Sequence, residues 1–276
     1  MAEIDEQKVL KNLFSYFLLI LLAVVILTPF FIGIWTSFLP TADILKGNYF
    51  NTNISLTNYF DAFTKTPILR YLGNTIVVAT ITMFAHLLFC SMSAYAFVFL
   101  DFKYKKFFFA LFMITMMLPS EAAIIPNFQT VKALGLLDHY SAMIVPSLTS
   151  AFGTFMLRQA FLQTPKELKE AADIEGLNHL QIFWKVVLPY NRISLITLGA
   201  YSFLGAWNSY LWPILVTFSN NSRVIQNGLK QLQSEETFNN WGMIQASAAI
   251  IVIPTIIVLF VGQHYFKSGL NEGAVK

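Results

Sequence analysis

The charged residues of this sequence are sparse and clustered, and their spacing limits what the chain can fold into. Lys, Arg, Asp and Glu make up 12% of its 276 residues, whereas a soluble domain carries about 25%. Five long windows contain none of them, at residues 12–42, 71–100, 139–157, 193–222 and 237–266, and a shorter window covers 107–120. An apolar helix of about 20 residues spans the hydrocarbon core of a bilayer, so each window has room for one span, the shortest with Glu121 at an interface. The sequence therefore predicts an all-α, polytopic membrane protein with six transmembrane helices.

The six windows also predict the domain organisation. Residues 1–12 form a mixed-charge N-terminal segment, and residues 13–276 form one transmembrane domain. The expected spans are residues 13–38, 72–100, 107–126, 140–157, 193–216 and 241–265, followed by a polar tail at 266–276. No small-residue cleavage site follows the first apolar run, so we interpret it as a span rather than a cleaved signal peptide.

The placement of Lys and Arg predicts the orientation of the spans, because positive residues are retained in the cytoplasm. With the N-terminus inside, twelve of the 18 Lys and Arg residues lie in cytoplasmic segments and six lie in external segments. This bias favours cytoplasmic N- and C-termini. It also places residues 164–189, between the fourth and fifth expected spans, in the cytoplasm.

Residues 164–189 have the pattern of two short amphipathic helices joined by a glycine, and we call them the two-helix loop. Thr164, Pro165 and Glu167 predict the start of the first helix, with a capping box and a proline in the first turn. The apolar residues expected on one face of this helix are Leu168, Ala171 and Ala172. Gly176 is expected to end it in a left-handed conformation.

The second helix of the two-helix loop is predicted to begin at Asn178, which forms a cap pair with Gln181. Its expected apolar face consists of Leu177, Leu180, Trp184 and Val187. Pro189 is expected to end the helix. Such a segment fits either a docking element for a partner or a helix pair that lies on lipid headgroups.

Several kinds of chemistry find no support in the sequence. There is no G-x-x-x-x-G-K-[ST] phosphate-binding loop, so the chain is not expected to hydrolyse ATP itself. No Asp or Glu lies deep in an expected span as a proton relay, and no Ser–His or Cys–His pair has a plausible hydrolase role. His86 and Cys90 share one helix face, but we expect packing or a hydrogen bond there rather than a metal, because no third ligand is near in sequence. We therefore predict no catalytic residue, no metal site and no cofactor bound by this chain.

The residue pattern of the two-helix loop resembles the EAA loop of ABC importer permeases. Glu170-Ala171-Ala172 is followed, at the family's spacing, by Gly176 and then by Leu188-Pro189. Val186 stands where the family usually has Ile, and Glu175 where the sugar branch usually has Asp. In that family the loop docks into a groove on a cytoplasmic ATPase subunit. The resemblance thus implies an ATPase-coupling role for a set of residues in the loop: Glu170, Ala171, Ala172, Gly176, Leu177, Leu188 and Pro189.

The resemblance covers roughly the last two thirds of the chain and is closest to importers of the maltose and glycerol-phosphate type. It is carried by Asn74, by residues 118–126, 134–137, 155–159 and 207–213, and by the tail from residue 265. In that branch two different permeases pair in the bacterial inner or plasma membrane, two ATPase subunits hold ATP and Mg below them, and a binding protein delivers solute from outside. The expected partners are these subunits and the lipid bilayer, with no nucleic acid.

A polar group within the fifth expected span is the candidate for contact with a solute. Trp207, Asn208 and Tyr210 combine aromatic faces with an amide, which suits sugar rings. A hydrogen bond between helices explains the asparagine equally, and an interfacial aromatic belt explains its neighbours.

Two segments resemble contact regions for other subunits. An external loop at residues 220–240 resembles a probe that enters the cleft of the binding protein, and a plain solvated connector is the alternative. The C-terminus resembles a tail that reaches the ATPase, and a disordered chain end is the alternative. The residues concerned are Gly228, Leu229 and Lys230 in the loop and Gly269, Gly273 and Lys276 in the tail.

The sequence thus predicts the permease subunit of a binding-protein-dependent ABC importer that moves a carbohydrate or related solute into the cytoplasm. The chain is not expected to be an enzyme, since a partner would hydrolyse ATP. A single-chain secondary carrier and a structural membrane-anchoring subunit are the alternatives. Sugars, oligosaccharides, aminosugars and glycerol phosphate all remain open as solutes, although the lack of basic residues within the expected spans favours neutral sugars.

Overall fold

The computed structural model describes residues 6–51, 53–234 and 240–274, and the regular elements within these ranges are all helical. The all-α fold class is thereby confirmed. The helices are α1 (Glu6–Ser37), α2 (Thr41–Leu45), α3 (Thr57–Lys65), α4 (Ile68–Phe99), α5 (Lys105–Met117), α6 (Ile124–Ala133), α7 (Tyr140–Ile144), α8 (Ala151–Leu162), α9 (Lys166–Ile174), α10 (His179–Ile182), α11 (Leu188–Tyr190), α12 (Arg192–Trp207), α13 (Leu211–Val216), α14 (Ile225–Ser234) and α15 (Trp241–Ala274). Short 3₁₀ turns lie at Ser120–Ala123 and Val145–Ser147, and a π-helical turn at Phe183–Val187 joins α10 to α11.

The described part of the chain contains three helices that are long and apolar enough to cross a membrane. They are Asn12–Ser37, Ile68–Phe99 and Trp241–Phe260. Two bent helix pairs raise the number to five if each pair is one span: Lys105–Met117 with Glu121–Ala133, and Tyr140–Ser147 with Ala151–Leu162. The protein is therefore a multi-pass helical membrane protein, while the count of six spans stays a prediction.

Three of the expected spans are interrupted, and a proline lies at or near each break. In the span expected at 107–126, α5 ends two residues before Pro119 and α6 continues to Ala133. In the span expected at 140–157, Pro146 lies between α7 and α8, which bend by 44°. In the span expected at 193–216, α12 ends at Trp207, and Pro213 lies in the first turn of α13. Proline has no N–H to donate and restricts the residue before it, which explains why an apolar window does not give one straight helix here.

Other helices extend beyond the apolar windows. α1 begins at Glu6 rather than near residue 13, and α15 continues through most of the expected tail to Ala274. The segment expected as an external loop at 220–240 contains α14. Apolar windows mark the part of a helix that fits the bilayer, whereas polar helix-forming residues continue the same helix outside it.

The chain divides into two compact units, of which the first contains residues 1–66 and 229–251. Within this unit, Asn58 on α3 is buried, and its Nδ2 donates to the carbonyl oxygens of Ser37 and Leu39, both at 2.8 Å. Those carbonyls lie at and just beyond the end of α1 and have no partner within that helix, so the asparagine satisfies them. The most apolar window of α1 is 0% buried, as suits a helix that contacts lipid.

The second unit contains residues 67–228 and 252–276 and is built around α4, which packs against α8 and α12. One buried cluster joins Cys90 on α4, Leu157 on α8 and Leu198 on α12 to the two-helix loop. A second cluster includes Val78, nearer the other end of α4, and Val216 at the end of α13. A single helix therefore connects the two-helix loop to the opposite end of the unit.

Candidate functional site: the two-helix loop and two cavities

The first helix of the two-helix loop is α9, and its start differs from the prediction. α9 begins at Lys166 after Pro165, which is the N-cap, and no side chain caps the helix. The hydroxyl of Thr164, which was expected to cap it, accepts a hydrogen bond from Nδ2 of Asn191 at 3.0 Å instead. Both side chains are buried, so this bond satisfies a buried amide. It also ties together the two ends of the two-helix loop.

The elbow between the two helices confirms the prediction for Gly176. Its φ is +75°, its N–H donates to the carbonyl oxygen of Asp173, and the N–H of Leu177 donates to that of Ala172. This pair of bonds is a Schellman motif, which needs a left-handed residue at the glycine position. The predicted cap pair is also confirmed, since Asn178 and Gln181 each accept from the other's backbone N–H at 2.9 Å.

The second helix buries only part of the predicted apolar face, namely Val187 and, in part, Leu177. Ile182, Phe183 and Val187 are buried, whereas Leu180 and Trp184 are 65% and 54% exposed. Apolar residues surround this helix, so periodicity alone does not select the inner face, and the π-helical turn further rotates the residues that follow it.

The helical run ends at Tyr190, one residue after the predicted end at Pro189. Pro189 lies in the first turn of α11, where a missing N–H costs little, and the chain continues through Asn191 into α12.

The second helix is anchored to the end of α4 by one polar contact and one aromatic contact. The hydroxyl of Tyr95 shares a hydrogen bond with Nδ1 of His179 at 3.1 Å. The ring of Tyr95 also meets that of Phe183 edge to face, with centroids 5.4 Å apart, and such pairs add to the stabilisation from burial. A displacement of the two-helix loop would therefore act directly on α4.

The outward side of the two-helix loop carries three large apolar side chains, which we call the outer stripe. Ile174 is 87% exposed, Leu180 65% and Trp184 54%. A charged loop in water gains nothing by exposing such residues, so they indicate a surface that another molecule covers.

The seven residues expected to couple to an ATPase fall into two groups. Glu170, Ala171, Gly176 and Pro189 are exposed. Ala172 is buried, and Leu177 and Leu188 pack against the cluster that holds the loop on the bundle. The first group is available for contact, and the second group positions it.

Two adjoining cavities lie in the second unit. The first cavity has a volume of about 260 Å³ and lies among α4, α7, α12 and α13, with Thr82, His86 and Tyr201 in its wall. The second cavity has a volume of about 460 Å³, and Glu121, Asn127, Asn208 and Tyr210 line it.

His86 forms hydrogen bonds with both ring nitrogens at the wall of the first cavity. Nδ1 lies 2.9 Å from the hydroxyl of Ser202, and Nε2 lies 2.8 Å from the carbonyl oxygen of Ser147. Cys90, four residues later, contacts the backbone of Ser150 instead. The expectation of a hydrogen bond at this helix face is confirmed.

The residues expected along the solute path are placed unequally. Asn208 and Tyr210 line the second cavity, and Nδ2 of Asn208 also donates to the carbonyl oxygen of Leu204 at 2.9 Å. Trp207 is fully buried, stacks on Phe203 and lines neither cavity. Trp212, which is near Asn208 in the sequence but was not among the three residues expected along the path, lines both cavities.

The residues of segment 228–230, which are expected to contact the binding protein, differ in exposure. Gly228 is buried on α14, and a Cβ there would lie 2.2 Å from the ring of Tyr71. The glycine therefore permits close packing of helices, while Lys230 is exposed. Gly269 and Gly273 lie within α15, and Lys276 lies outside the described residues.

Asp138 connects two loops and was not identified from the sequence. Its carboxylate accepts hydrogen bonds from the N–H groups of Phe218 and Ser219 and from the hydroxyl of Ser222. Partial burial alone would raise the pKa of Asp138, but the bonds from Ser219, Ser222 and Phe218 together outweigh it and hold the pKa well below its usual range. The one signal in the sequence is that Asp tolerates the left-handed backbone, here with a φ of +64°.

We expect Asp138→Asn to lower the thermal unfolding midpoint of the purified protein at pH 7 by a few degrees, because hydrogen bonds to a charged acceptor are stronger than those to a neutral one. Since the pKa is lowered, the stabilisation is present above the unfolded-state pKa of about 3.9 and disappears as the pH falls through the lower folded-state pKa. Asp61→Asn is the matched control, since it breaks only a surface pair with Lys65. Equal midpoints for both variants would contradict the role of Asp138.

The other residues missed from the sequence belong to the two-helix loop and its anchor. Tyr95 and His179 are 84 residues apart, and no local pattern predicts their contact. Ile174 had a signal, since it lies two residues after Ala172 and hence on the opposite side of a helix that buries Ala172.

Comparisons with known proteins agree with this architecture. Residues 87–272 match the model of the family described as "Binding-protein-dependent transport system inner membrane component". The arabinooligosaccharides transport system permease protein AraQ of Halalkalibacterium halodurans is 33% identical over 248 residues, which cover 88% of each chain. The sn-glycerol-3-phosphate transport system permease protein UgpE of Yersinia pestis is 31% identical over 270 residues, which cover 95% of this chain and 96% of that one. Among solved structures, a chain from a bacterial ABC transporter involved in the import of the acidic polysaccharide alginate has the same fold, with a TM-score of 0.87 and 24% identity over 96% of this chain and 100% of that chain.

Proposed function

The chain belongs to the family of binding-protein-dependent transport system inner membrane components, and we propose that it is the permease subunit of an ABC importer for a carbohydrate or related solute. Its relatives are named for the transport of arabinooligosaccharides and of sn-glycerol-3-phosphate, and the alginate transporter shares its fold. ATP would be hydrolysed by a partner, since this sequence has no phosphate-binding loop of the Walker type.

The observation that carries this proposal is the construction of the two-helix loop. A Schellman motif and a capping box fix its elbow on both sides, and Tyr95 anchors its second helix to α4. The outer stripe and the exposed carboxylate of Glu170 face away from the bundle. A rigid body with an apolar outer surface, joined to a long helix of the bundle, is what is required to transmit movement from an attached ATPase subunit to the membrane.

The proposed assembly contains four kinds of subunit. Two ATPase subunits sit at the cytoplasmic face, each against one permease, and a second, homologous permease completes the membrane part. A solute-binding protein delivers the solute to the external side, where Lys230 is exposed. The segment at the C-terminal end, including Gly269 and Gly273, is proposed to approach the ATPase.

We expect both termini and the two-helix loop to be cytoplasmic. A membrane-impermeant maleimide applied to intact cells should label Asn53→Cys, which is in an external segment under this topology, and should label Glu175→Cys only after the membrane is permeabilised. Both positions are exposed, and the single native cysteine, Cys90, is 0% exposed. Labelling of position 175 but not 53 in intact cells would reverse the topology.

The function is tested by reconstitution of the permease pair with its ATPase and binding protein in lipid vesicles. Carbohydrate-loaded binding protein should stimulate ATP hydrolysis, and uptake should stop when ATP is omitted. Uptake by this chain alone without ATP would identify a secondary carrier. Assembly without any solute-dependent ATP hydrolysis would identify a structural subunit.

A further inference from the structure

The two cavities share part of their wall, which consists of Ser147, Ser209 and Trp212. We call these three residues the shared wall. A solute that moved from one cavity to the other would have to pass along it. The chemistry of the shared wall and of its surroundings therefore bears on which solutes this chain accepts.

Just over half of the residues that line the first cavity carry a neutral hydrogen-bonding group. Eight of its fifteen lining residues carry a hydroxyl or an imidazole, and none is Lys, Arg, Asp or Glu. Polar groups inside a membrane bundle are costly unless they have partners. A cavity with this lining matches a solute that offers many hydroxyl groups and no net charge.

Both ring nitrogens of His86 have protein partners at this cavity, and a neutral ring is sufficient for both contacts. The carbonyl oxygen of Ser147 can only accept, so Nε2 of His86 carries the proton and donates to it. Nδ1 then accepts from the hydroxyl of Ser202, and the neutral imidazole satisfies both contacts. The ring thereby connects α4, α12 and the turn at Ser147.

Trp212 provides an oriented aromatic surface on the shared wall. Its Nε1–H donates to the carbonyl oxygen of Ala142 at 3.0 Å, which fixes the plane of the indole. A sugar ring has an apolar face of C–H groups and a rim of hydroxyls. A fixed indole beside serine hydroxyls suits both parts of such a ring.

An anionic solute would meet unfavourable surroundings in both cavities. The residues that line the second cavity include Glu121 and no Lys or Arg. Moving a phosphate or a carboxylate along this wall would place it near the side chain of Glu121, with no Lys or Arg among the described lining residues to stabilise it, which costs free energy in a region of low dielectric constant. The relatives are named for the transport of neutral arabinooligosaccharides and of the anion sn-glycerol-3-phosphate. The lining of the two cavities therefore distinguishes between a neutral and an anionic solute.

We propose that the shared wall is a contact site for one neutral sugar unit at a time, and that this importer carries uncharged carbohydrates rather than phosphorylated or uronic-acid solutes. The proposal rests on the function proposed above. The first cavity, at about 260 Å³, is smaller than the roughly 300–1,000 Å³ of pockets that enclose drug-sized ligands, which fits one sugar unit rather than a whole oligosaccharide.

The chain offers a matched pair of substitutions to test the site. Gly205 lines the first cavity, and a Cβ at this position meets no atom within 4 Å, so Gly205→Leu adds a side chain to open space in the cavity. Gly73 on α4 is also free of neighbours within 4 Å but lines neither cavity. Gly73→Leu therefore has the same change in size and in helix propensity without the obstruction.

In the reconstituted importer, Gly205→Leu should reduce uptake of the neutral sugar on the order of tenfold, while stimulation of ATP hydrolysis by loaded binding protein stays within about twofold of wild type. Gly73→Leu should leave both measurements unchanged. Normal uptake by Gly205→Leu would contradict the proposal that a sugar unit passes through this site.

Solute class is tested without the binding protein, on the assembled complex carrying Ser209→Cys. An arabinose disaccharide or a maltose-type disaccharide at millimolar concentration should slow alkylation of this cysteine, and glycerol 3-phosphate or a uronic-acid disaccharide should not. Equal or better protection by the anionic solutes, or protection by none of them, would overturn the inference. Carbohydrate-stimulated ATP hydrolysis is measured separately on wild type, and its absence for every carbohydrate would instead contradict the proposed function.

Discussion

Gly176→Val should abolish solute uptake and weaken retention of the ATPase subunit, while the permease still inserts into the membrane. The glycine has a φ of +75°, and no atom lies within 4 Å of the position that a Cβ would occupy, so the substitution introduces backbone strain without a steric clash. A β-carbon in the left-handed region costs on the order of 1–2 kcal/mol, and a β-branched residue is among the least tolerant of it. The Schellman bonds of the elbow would be lost, and the second helix, together with Trp184 and Leu180, would take a new direction.

Two further variants distinguish the effect of the elbow geometry from the effect of backbone strain elsewhere in the chain. Gly135 also has a positive φ, +67°, and a Cβ there would meet no atom within 4 Å, but it lies outside the two-helix loop. Gly135→Val should therefore retain the ATPase in a pull-down of the tagged permease. Gly176→Asn should keep much of the uptake, because Asn tolerates the left-handed conformation. If Gly176→Val transports normally with normal ATPase retention, the two-helix loop is not the coupling element.

Trp184→Ser should detach the ATPase subunit from an otherwise intact permease. Trp184 is 54% exposed on the outer stripe, so its removal changes the folded permease little. In a partner interface, a buried tryptophan is a frequent centre of binding energy, and its loss typically costs at least about 2 kcal/mol, or roughly thirtyfold in affinity. Binding of the purified ATPase to permease in detergent or nanodiscs measures this directly.

The control for Trp184→Ser is an aromatic residue that is exposed elsewhere. Phe50 is 94% exposed and lies in a segment that is external under the proposed topology. Phe50→Ser should bind the ATPase with wild-type affinity. Unchanged affinity of Trp184→Ser as well would mean that the outer stripe faces lipid headgroups, which is the other arrangement that an amphipathic helix pair permits.

Local features of the two-helix loop could be predicted because they depend on neighbouring residues. α9 ends with a bond from Gly176 to the residue three positions earlier and a bond from Leu177 to the residue five positions earlier. The Asn178–Gln181 capping box spans three positions. Interactions of this kind are encoded by residue type and spacing. The start of α9 was predicted wrongly because the hydroxyl of Thr164 accepts from Asn191 rather than from an N–H group in the first turn of α9. Asn191 lies 27 residues later in the sequence.

The candidate solute site also depends on contacts between residues that are distant in the sequence. The polar and aromatic group at 207–212 was visible in the sequence, but which tryptophan faces a cavity depends on the break between α12 and α13. Trp207 is buried against Phe203, and the indole of Trp212 is oriented by a hydrogen bond to a carbonyl oxygen 70 residues away. The role of His86 likewise depends on Ser147 and Ser202, which lie 61 and 116 residues from it.

By itself, the sequence determined the membrane class, the helical fold and the elbow of the two-helix loop. Charge-free windows long enough to span a bilayer leave the backbone no satisfactory alternative to helices, and glycine and cap residues act within one turn. Only the tertiary structure decided which apolar residues of the two-helix loop are buried and which form the outer stripe. Leu180 and Ile182 are equally apolar, and the difference is that α4 and its neighbours cover one of them. Burial is a property of packing between distant segments, so the composition of a single helix with apolar residues on every side cannot specify it.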